Sequence, residues 1–579
     1  MLKDLKTFYK FIFKYKKDFI IFLFVLFLAT TLQNILPYFY KVLIDAIPLQ
    51  DYEYISKIIL YYIILKIIIT LLNTSTFYLG DKSMIPASKD ARLAVFRKIQ
   101  DLDFAFHVNK NTGSLISAFK RGDGAFMGMF ETLHHHILDV FISLVVVLIF
   151  FYQVVPSIVG VMALIFLINI IVSVYLIRFN ISKRVAFNAT EDKISGIITD
   201  NLINYETVKF FAQEEKEEDR LKTEFQEWVD RIWAYANTFR LMDVVIGTLS
   251  NLGIFVILKI LVSELSLGAI TTGDFIMVLS FLTSFYYRFF ELLYSLREIA
   301  KKQVDLQTYF ALLDNEILIK DPEKPVKVEN IQGHIQFKDV SFKYPDGNEN
   351  ILTNINLDIK PGESIAFIGR SGAGKTTIVK LLLRFYDTNS GAILIDNTNI
   401  AELTKAQLRS FIGIVPQEPI LFNNTIGFNV AYGNDKASKK DIAKACRMAN
   451  LHDFIEKLSL KYETMVGERG IKLSGGQKQR LAIARMILAN PKIIIFDEAT
   501  SNLDSESEHL IQDALWKISK DRTVLIIAHR FSTVRKVDRV IVLDKGEIVE
   551  SGTHKELTKK NGLYVYLREM QTKDQEYLN

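Results

Sequence analysis

Among 579 residues the chain has a single cysteine and only eleven prolines. The lone Cys446 cannot close an intrachain disulfide. It also stands far from any Cys/His cluster, so no metal knot is expected there and the thiol reads as buried filler. Charge of one sign is lacking too: 70 Lys+Arg against 65 Asp+Glu leave a net +5, too little on this length to point to nucleic acid. In places charge is missing altogether. Neither Phe19–Tyr40 nor Val140–Ile177 contains a charged residue, and runs of that length are characteristic of membrane spans rather than of soluble core helices.

As a helix, Phe19–Tyr40 would cover roughly 33 Å, enough for a bilayer core. A second span runs from about Ile58 to Gly80, interrupted by Lys66. Val140–Ile177 is too long for one crossing, and Gln153, Pro156, Ser157 and Gly160 supply a break, which makes two spans. Val244–Val262 and Phe275–Leu296 complete six. Eight Lys/Arg lie between Asp81 and Phe130, and Asn180–Arg240 is also rich in them. The opposite connections, near Asp51, near Pro156 and over Glu264–Asp274, carry none, so both termini and both long loops are expected in the cytosol. Those loops are helix-compatible and poor in Pro and Gly, which suggests membrane helices continuing past the bilayer to a tip. The segment before the first span carries Lys3, Lys6, Lys10, Lys14, Lys16 and Lys17 without a small-residue cleavage site or an arginine. It reads as a cytosolic elbow rather than a signal or mitochondrial transit peptide. Lys66, Lys259, Arg288 and Glu291 would be costly against lipid and are expected to face a cavity, an interface or a partner. Arg288 and Glu291, three apart, can pair with each other.

After about Lys320 the chain reads as a soluble α/β protein. The apolar strand Ser364–Ile368 runs into Gly369-Arg370-Ser371-Gly372-Ala373-Gly374-Lys375-Thr376-Thr377 and then into a helix. Glycines in that strand–loop–helix context let backbone N–H groups close around phosphates at the positive end of the helix. Lys375 would reach the β- and γ-phosphates, and the Thr376 hydroxyl would ligate Mg²⁺. A second apolar strand, Ile493–Phe496, ends in Asp497-Glu498. A carboxylate at the strand tip suits a Mg²⁺ ligand, and the next one can polarise an attacking water as general base. A third strand, Val524–Ala528, ends in His529, placed to contact the γ-phosphate.

With these motifs in view, Ile335–Leu567 resembles the ABC ATPase family. Leu473-Ser474-Gly475-Gly476-Gln477 matches that family's signature. The resemblance implies that Tyr344 stacks on adenine, that Gln417 senses Mg²⁺ and the membrane domain, and that Asp504 lies in the loop following Glu498. It also implies that Gly467–Gly470 touches coupling helices. Asn502 stands where the family usually has alanine. Because Ser474 and Gly476 of one subunit bind the phosphate held by the other's P-loop in this family, dimerisation is implied, with a second copy or a related half-transporter. The expected architecture is a six-helix membrane domain of exporter type over residues 1–320 and a P-loop nucleotide-binding domain over 321–579. The expected location is the cell membrane, with ATP and Mg²⁺ as cofactors and a small molecule as substrate.

Two stretches are similar to the mitochondrial iron–sulfur-related and heavy-metal-tolerance exporters. One is Phe106-His107 with Thr112-Gly113 and Arg121-Gly122; the other is Asn204–Phe211. Their resemblance implies export of a glutathione-type or metal–thiol compound, with Arg184 matching a glutathione-contacting arginine. Arg288, as a charge within a span, is a further candidate on the substrate path. Arg184, 28 residues past Pro156, would lie roughly 42 Å along a helix from the outer turn. Departures run the other way: Asn180 replaces a second arginine, and Leu279-Ser280 replaces a polar Asn-Gln pair. A multidrug or lipid exporter of the same fold, or a membrane-anchored regulator without pumping, shares every motif.

Overall fold

The structure, a computed structural model, describes residues 2–110, 112–345, 347–467, 470–497, 505–528 and 530–577. By compactness the chain forms two units: Met1–Asp101 with Lys110–Asn315, and Leu102–Asn109 with Glu316–Asn579. The division at Asn315/Glu316 lies close to the 320/321 boundary expected from sequence. The eight-residue segment Leu102–Asn109, part of the first long loop, packs within the second unit.

The first unit is helical. α1 (Leu2–Ile12), α2 (Lys16–Gln33), α3 (Leu36–Ala46) and α4 (Tyr52–Asp101) precede the short α5 (Phe104–Asn109) of the second unit. α6 (Thr112–Glu131), α7 (Asp139–Val154), α8 (Pro156–Ile203), α9 (Tyr205–Phe210), α10 (Glu214–Ser266) and α11 (Thr272–Asp314) follow. Five continuous helical stretches, Lys3–Leu49, Tyr52–Asp101, Leu115–Val154, Pro156–Ile203 and Glu214–Ser266, are long and apolar enough to cross a membrane. α11 is apolar over Thr272–Ser284 and supplies the sixth. The break between the third and fourth spans falls at the expected place: Val155 is extended and Pro156 opens α8, because proline restricts the preceding residue and suits the first helical turn. Both long loops are helical. α8 runs on to Ile203, turns through α9, and α10 returns from Glu214.

Arg288 and Glu291 are satisfied across helices rather than along their own. Arg288 donates to Asp139 Oδ2 at 2.7 Å and to the Ser143 hydroxyl. The other Asp139 oxygen accepts from Thr30, and Asn34 donates to Ser143 at 3.0 Å. Glu291 takes His136 at 2.6 Å. The Arg288–Glu291 pairing expected from their spacing is therefore replaced by two cross-helix pairs, since the carboxylate and the imidazole on the third span offer each a half-buried partner. A seven-residue π-helical stretch, Thr132–Leu138, lies next to this contact. It turns its three histidines to different neighbours: His134 bonds to Tyr9 at 3.3 Å, His135 stacks on Phe77 at 4.8 Å, and His136 meets Glu291. Lys66 and Lys259 are exposed; Lys66 lies over the Tyr62 ring at 5.9 Å.

The second unit holds two sheets. β1 (Ile335–Phe342), β2 (Leu352–Ile359), β4 (Ser390–Ile395) and β5 (Thr398–Asn399) form an antiparallel sheet in the order β2-β1-β4-β5. β3 (Ser364–Gly369), β6 (Ile412–Val415), β7 (Ile493–Asp497), β8 (Thr523–Ile527), β9 (Arg539–Asp544) and β10 (Glu547–Gly552) form the other, in the order β10-β9-β3-β8-β7-β6. From β9 to β6 its pairings are parallel. Apart from Ile414 on the edge strand β6, the strands of the parallel part are buried on both faces, which is why they read as apolar runs rich in Ile, Val and Leu. Cys446 is fully buried, and burial pushes its thiol up to about 12, with a hydrogen bond to Tyr462 acting the other way. It remains a protonated packing residue at neutral pH.

Because Arg288 neutralises a partly buried carboxylate, Arg288→Met is expected to destabilise the chain by about 3 kcal/mol, the scale for stranding one member of a buried pair. Arg288→Met/Asp139→Asn, which removes both charges, should recover part of that loss. Thermal unfolding of the three proteins in one detergent checks it; equal midpoints for the single and double variants would contradict the pairing.

Candidate functional site

In a parallel sheet the loops at the carboxyl ends of neighbouring strands share one edge, and ligands bind in the crevice there. The register puts Phe367 of β3 opposite Ile527 of β8, Ile526 opposite Phe496 of β7, and Phe496 opposite Val415 of β6. The segments beginning at Gly369, Ala528, Asp497 and Pro416 therefore leave the sheet side by side. This is how the P-loop, Asp497 and the Gln417 loop, scattered over about 130 residues of sequence, come to one place.

The loop after β3 owes its shape to glycine. Gly374 has φ +99°, and a Cβ there would sit 2.5 Å from Leu352 Cδ2, so conformation and space both exclude a side chain. α12 (Lys375–Leu382) starts directly after it, pointing its first N–H groups into the loop. The Lys375 ammonium is buried and donates to the carbonyls of Gly369 at 2.9 Å and Arg370 at 3.0 Å. Ser371, Gly372 and Thr376 are exposed, while Thr377 is buried and shares a 3.1 Å hydrogen bond with the Tyr344 hydroxyl. That bond fixes the half-buried Tyr344, whose ring also meets Phe342 at 5.0 Å and Tyr386 at 5.1 Å, both edge-on.

Asp497 closes β7 and Gln417 follows β6 with an exposed side chain. With the Thr376 hydroxyl they are hard oxygen donors of the kind Mg²⁺ takes. Glu498, Asp504 and His529 lie outside the described residues, as do Asn502 and Glu468-Arg469.

The signature forms the start of a 15-residue helix, Gly475–Ala489. The Ser474 hydroxyl accepts from Gln477 N at 3.3 Å and Gln477 Oε1 accepts from Ser474 N at 2.9 Å, a reciprocal capping box. Two of the five signature residues thus build the helix end itself, leaving the N–H groups of Gly475 and Gly476 at its positive tip. Sequence reasoning missed Gln479. It is buried on this helix and donates to the backbone carbonyls of Gln417 at 2.6 Å and Pro416 at 3.2 Å, tying the signature helix to the Gln417 loop. A polar residue on the buried face, between Gln477 and Leu481, was the available signal. Arg485 on the same helix also faces inward, donating to Asn429 O at 2.8 Å, and burial pulls its guanidinium below the usual range.

In the first unit, Arg184 lies half-buried on α8 with no hydrogen bond or ion pair among the described residues, whereas Arg288 is held by Asp139 and Ser143. One turn before Arg184, Asn180 is fully buried. Its amide nitrogen donates to Thr238 at 2.5 Å and its oxygen has no partner among the described residues.

Known proteins match both units. Residues 19–289 match the family described as ABC transporter transmembrane region, and residues 352–501 match the one described as ABC transporter. Heavy metal tolerance factor 1 of Caenorhabditis elegans is 34% identical over 517 residues, covering 87% of this chain and 63% of that protein, so the chain spans less than two thirds of that relative's length. The ATM1-type heavy metal exporter of Novosphingobium aromaticivorans is 36% identical over 477 residues, covering 81% of this chain and 77% of that one. The solved structure of a bacterial Atm1-family ABC exporter with ATP bound superposes with a TM-score of 0.86 at 32% identity, over 96% of this chain and 98% of that one. The chain is a multi-pass membrane protein with an ATP-binding domain, and it belongs to the ABC transporter family, among its Atm1-type exporters.

Proposed function

We propose that this chain is half of a dimeric exporter in which ATP hydrolysis drives a glutathione-type or metal–thiol compound out of the cytosol across the cell membrane, with both termini cytosolic. The nucleotide part of this reading rests on the strand edge that gathers the P-loop, Asp497 and Gln417. Thr376, Asp497 and Gln417 would hold Mg²⁺, which supplies charge neutralisation on the phosphates. Lys375 and the α12 N–H groups would bind the phosphates, and Tyr344 would stack on the base. Glu498 would take the proton of the attacking water, with His529 at the γ-phosphate and Asp504 beside them. The positive tip at Gly475 and Gly476 would complete the site of the other subunit. Exposed aromatics at the end of α9 and just after it support an assembly larger than one chain. Phe210 is 80% and Phe211 70% exposed at the helical tip, an expensive arrangement unless a second subunit covers them.

The substrate reading is carried by Arg184, a guanidinium on a long membrane helix with no partner of its own among the described residues. A free fork of this kind can hold a carboxylate through two parallel hydrogen bonds. Arg288 supports the reading less, because Asp139 and Ser143 already occupy it. The rival, an amphipathic drug or lipid, is favoured by a cavity of about 320 Å³ between α8 and α10. Its lining is apolar, including Leu164, Ile168, Leu249 and Leu252, with Asn169 as the one polar side chain.

Glu498→Gln is expected to keep ATP binding while slowing hydrolysis about a hundredfold or more; near-normal turnover of the purified variant would remove Glu498 from the role of base. Mixing Lys375→Ala chains with Ser474→Ala chains should give hybrid dimers with one intact composite site and one doubly damaged. Trapping of labelled nucleotide on isolated hybrids reads this out, and normal hydrolysis by both parent variants would refute shared sites. Oxidised glutathione should stimulate ATP hydrolysis of the parent protein in nanodiscs, and Arg184→Ala should lose that stimulation while retaining basal turnover. Stimulation by hydrophobic cations or lipids instead would decide for the rival substrate.

A further inference from the structure

Lys380 lies on α12, five residues past the P-loop lysine. Its ammonium lies over two aromatic rings, 5.6 Å from the centroid of Tyr344 and 5.6 Å from that of Phe104. Its ammonium makes no hydrogen bond or ion pair among the described residues. A half-buried cation without a carboxylate is stabilised by ring faces within about 6 Å, so these two rings are what hold it.

The two rings belong to different parts of the transporter. Tyr344 is the ring proposed to stack on adenine, bonded through its hydroxyl to Thr377 at 3.1 Å. Phe104 opens α5, in the segment that packs in the second unit yet is joined in sequence to α4 on one side and α6 on the other. Phe104 stacks on Phe385 at 4.7 Å and 12°, and meets Tyr386 edge-on at 6.2 Å. Tyr386 in turn meets Tyr344 at 5.1 Å. The neighbouring Asp103 carboxylate pins the segment by accepting the N–H groups of Leu318 at 2.6 Å and Ile319 at 3.2 Å. A cation on the phosphate-loop helix thus bridges the base platform and the aromatic anchor of a segment continuous with the membrane helices.

We propose that Lys380 is a positioning residue that transmits occupancy of the Tyr344 platform to the seating of Leu102–Asn109. With one face of Tyr344 turned to the ammonium, the base stacks on the other face. Any shift or stiffening of that ring then moves Lys380 against Phe104. The proposal rests on Tyr344 being the base platform, so the two ideas are tested side by side.

The experiment is hydrogen exchange on the full chain in nanodiscs, with and without a non-hydrolysable ATP analogue and Mg²⁺. In the parent protein the nucleotide should slow exchange over Leu102–Asn109 by about threefold or more. Lys380→Met should bind the analogue within about fivefold of the parent yet lose that protection, and Lys380→Arg, which keeps the cation over the rings, should restore it. Phe104→Leu keeps an apolar anchor without the ring face and should lose the protection as well, which covers the case of a misfolded Lys380→Met. Full protection in Lys380→Met or in Phe104→Leu, or loss of protection in Lys380→Arg, overturns the relay. Abolished analogue binding in folded Lys380→Met overturns it as well, by assigning the lysine to the nucleotide site. Tyr344→Ala run in parallel separates the ideas: unchanged affinity there would refute the base platform alone.

Discussion

A parallel strand hands its following loop to the carboxyl end, and neighbouring strands hand theirs to the same edge. The nucleotide site depends on that constraint. β3, β8, β7 and β6 are adjacent in the sheet though scattered in sequence, and their register carries the P-loop, the end of β8, Asp497 and the Gln417 loop to one crevice. Gly374 then permits the loop to turn directly into α12, so that the N–H groups at the helix start face into it. The signature helix has a positive end of its own, capped by Ser474 and Gln477, and is fastened to the Gln417 loop through Gln479.

A different constraint governs the first unit. Apolar surroundings make an unpaired charge expensive, so the ionisable groups of the spans show where the helices must meet. Asp139 and His136 on the third span hold Arg288 and Glu291 on the sixth, while Thr30, Asn34 and Ser143 satisfy the remaining oxygens and donors. The start of α11 is tied down as firmly: Thr271 and Asp274 form a capping box, Lys41 reaches Asp274 at 2.5 Å, and Asp45 accepts from Gly273 N at 3.0 Å. Arg184, half-buried on α8, has no such partner among the described residues.

The segment Leu102–Asn109 links the two kinds of chemistry. By sequence it is part of a long loop between membrane helices; by packing it belongs to the nucleotide-binding unit. Asp103 and Phe104 hold it there through two backbone hydrogen bonds and a stacked ring.

Much was legible in one dimension because its physical cause is local. Uncharged runs long enough for a bilayer, a proline that breaks Val140–Ile177, glycines beside a lysine between strand and helix, and a serine with a glutamine three residues on each act within a few residues of themselves. These features determined the spans, the α7–α8 break, the P-loop and the signature. What the sequence could not decide was which distant groups meet. Arg288 and Glu291 sit one turn apart, and only helix packing offered them Asp139 and His136 instead of each other. Gln479 and Lys380 carry no motif; their partners, the Gln417 carbonyl and the rings of Tyr344 and Phe104, lie tens to hundreds of residues away. Pairings of that kind depend on sheet order and helix contact, which the tertiary structure alone establishes.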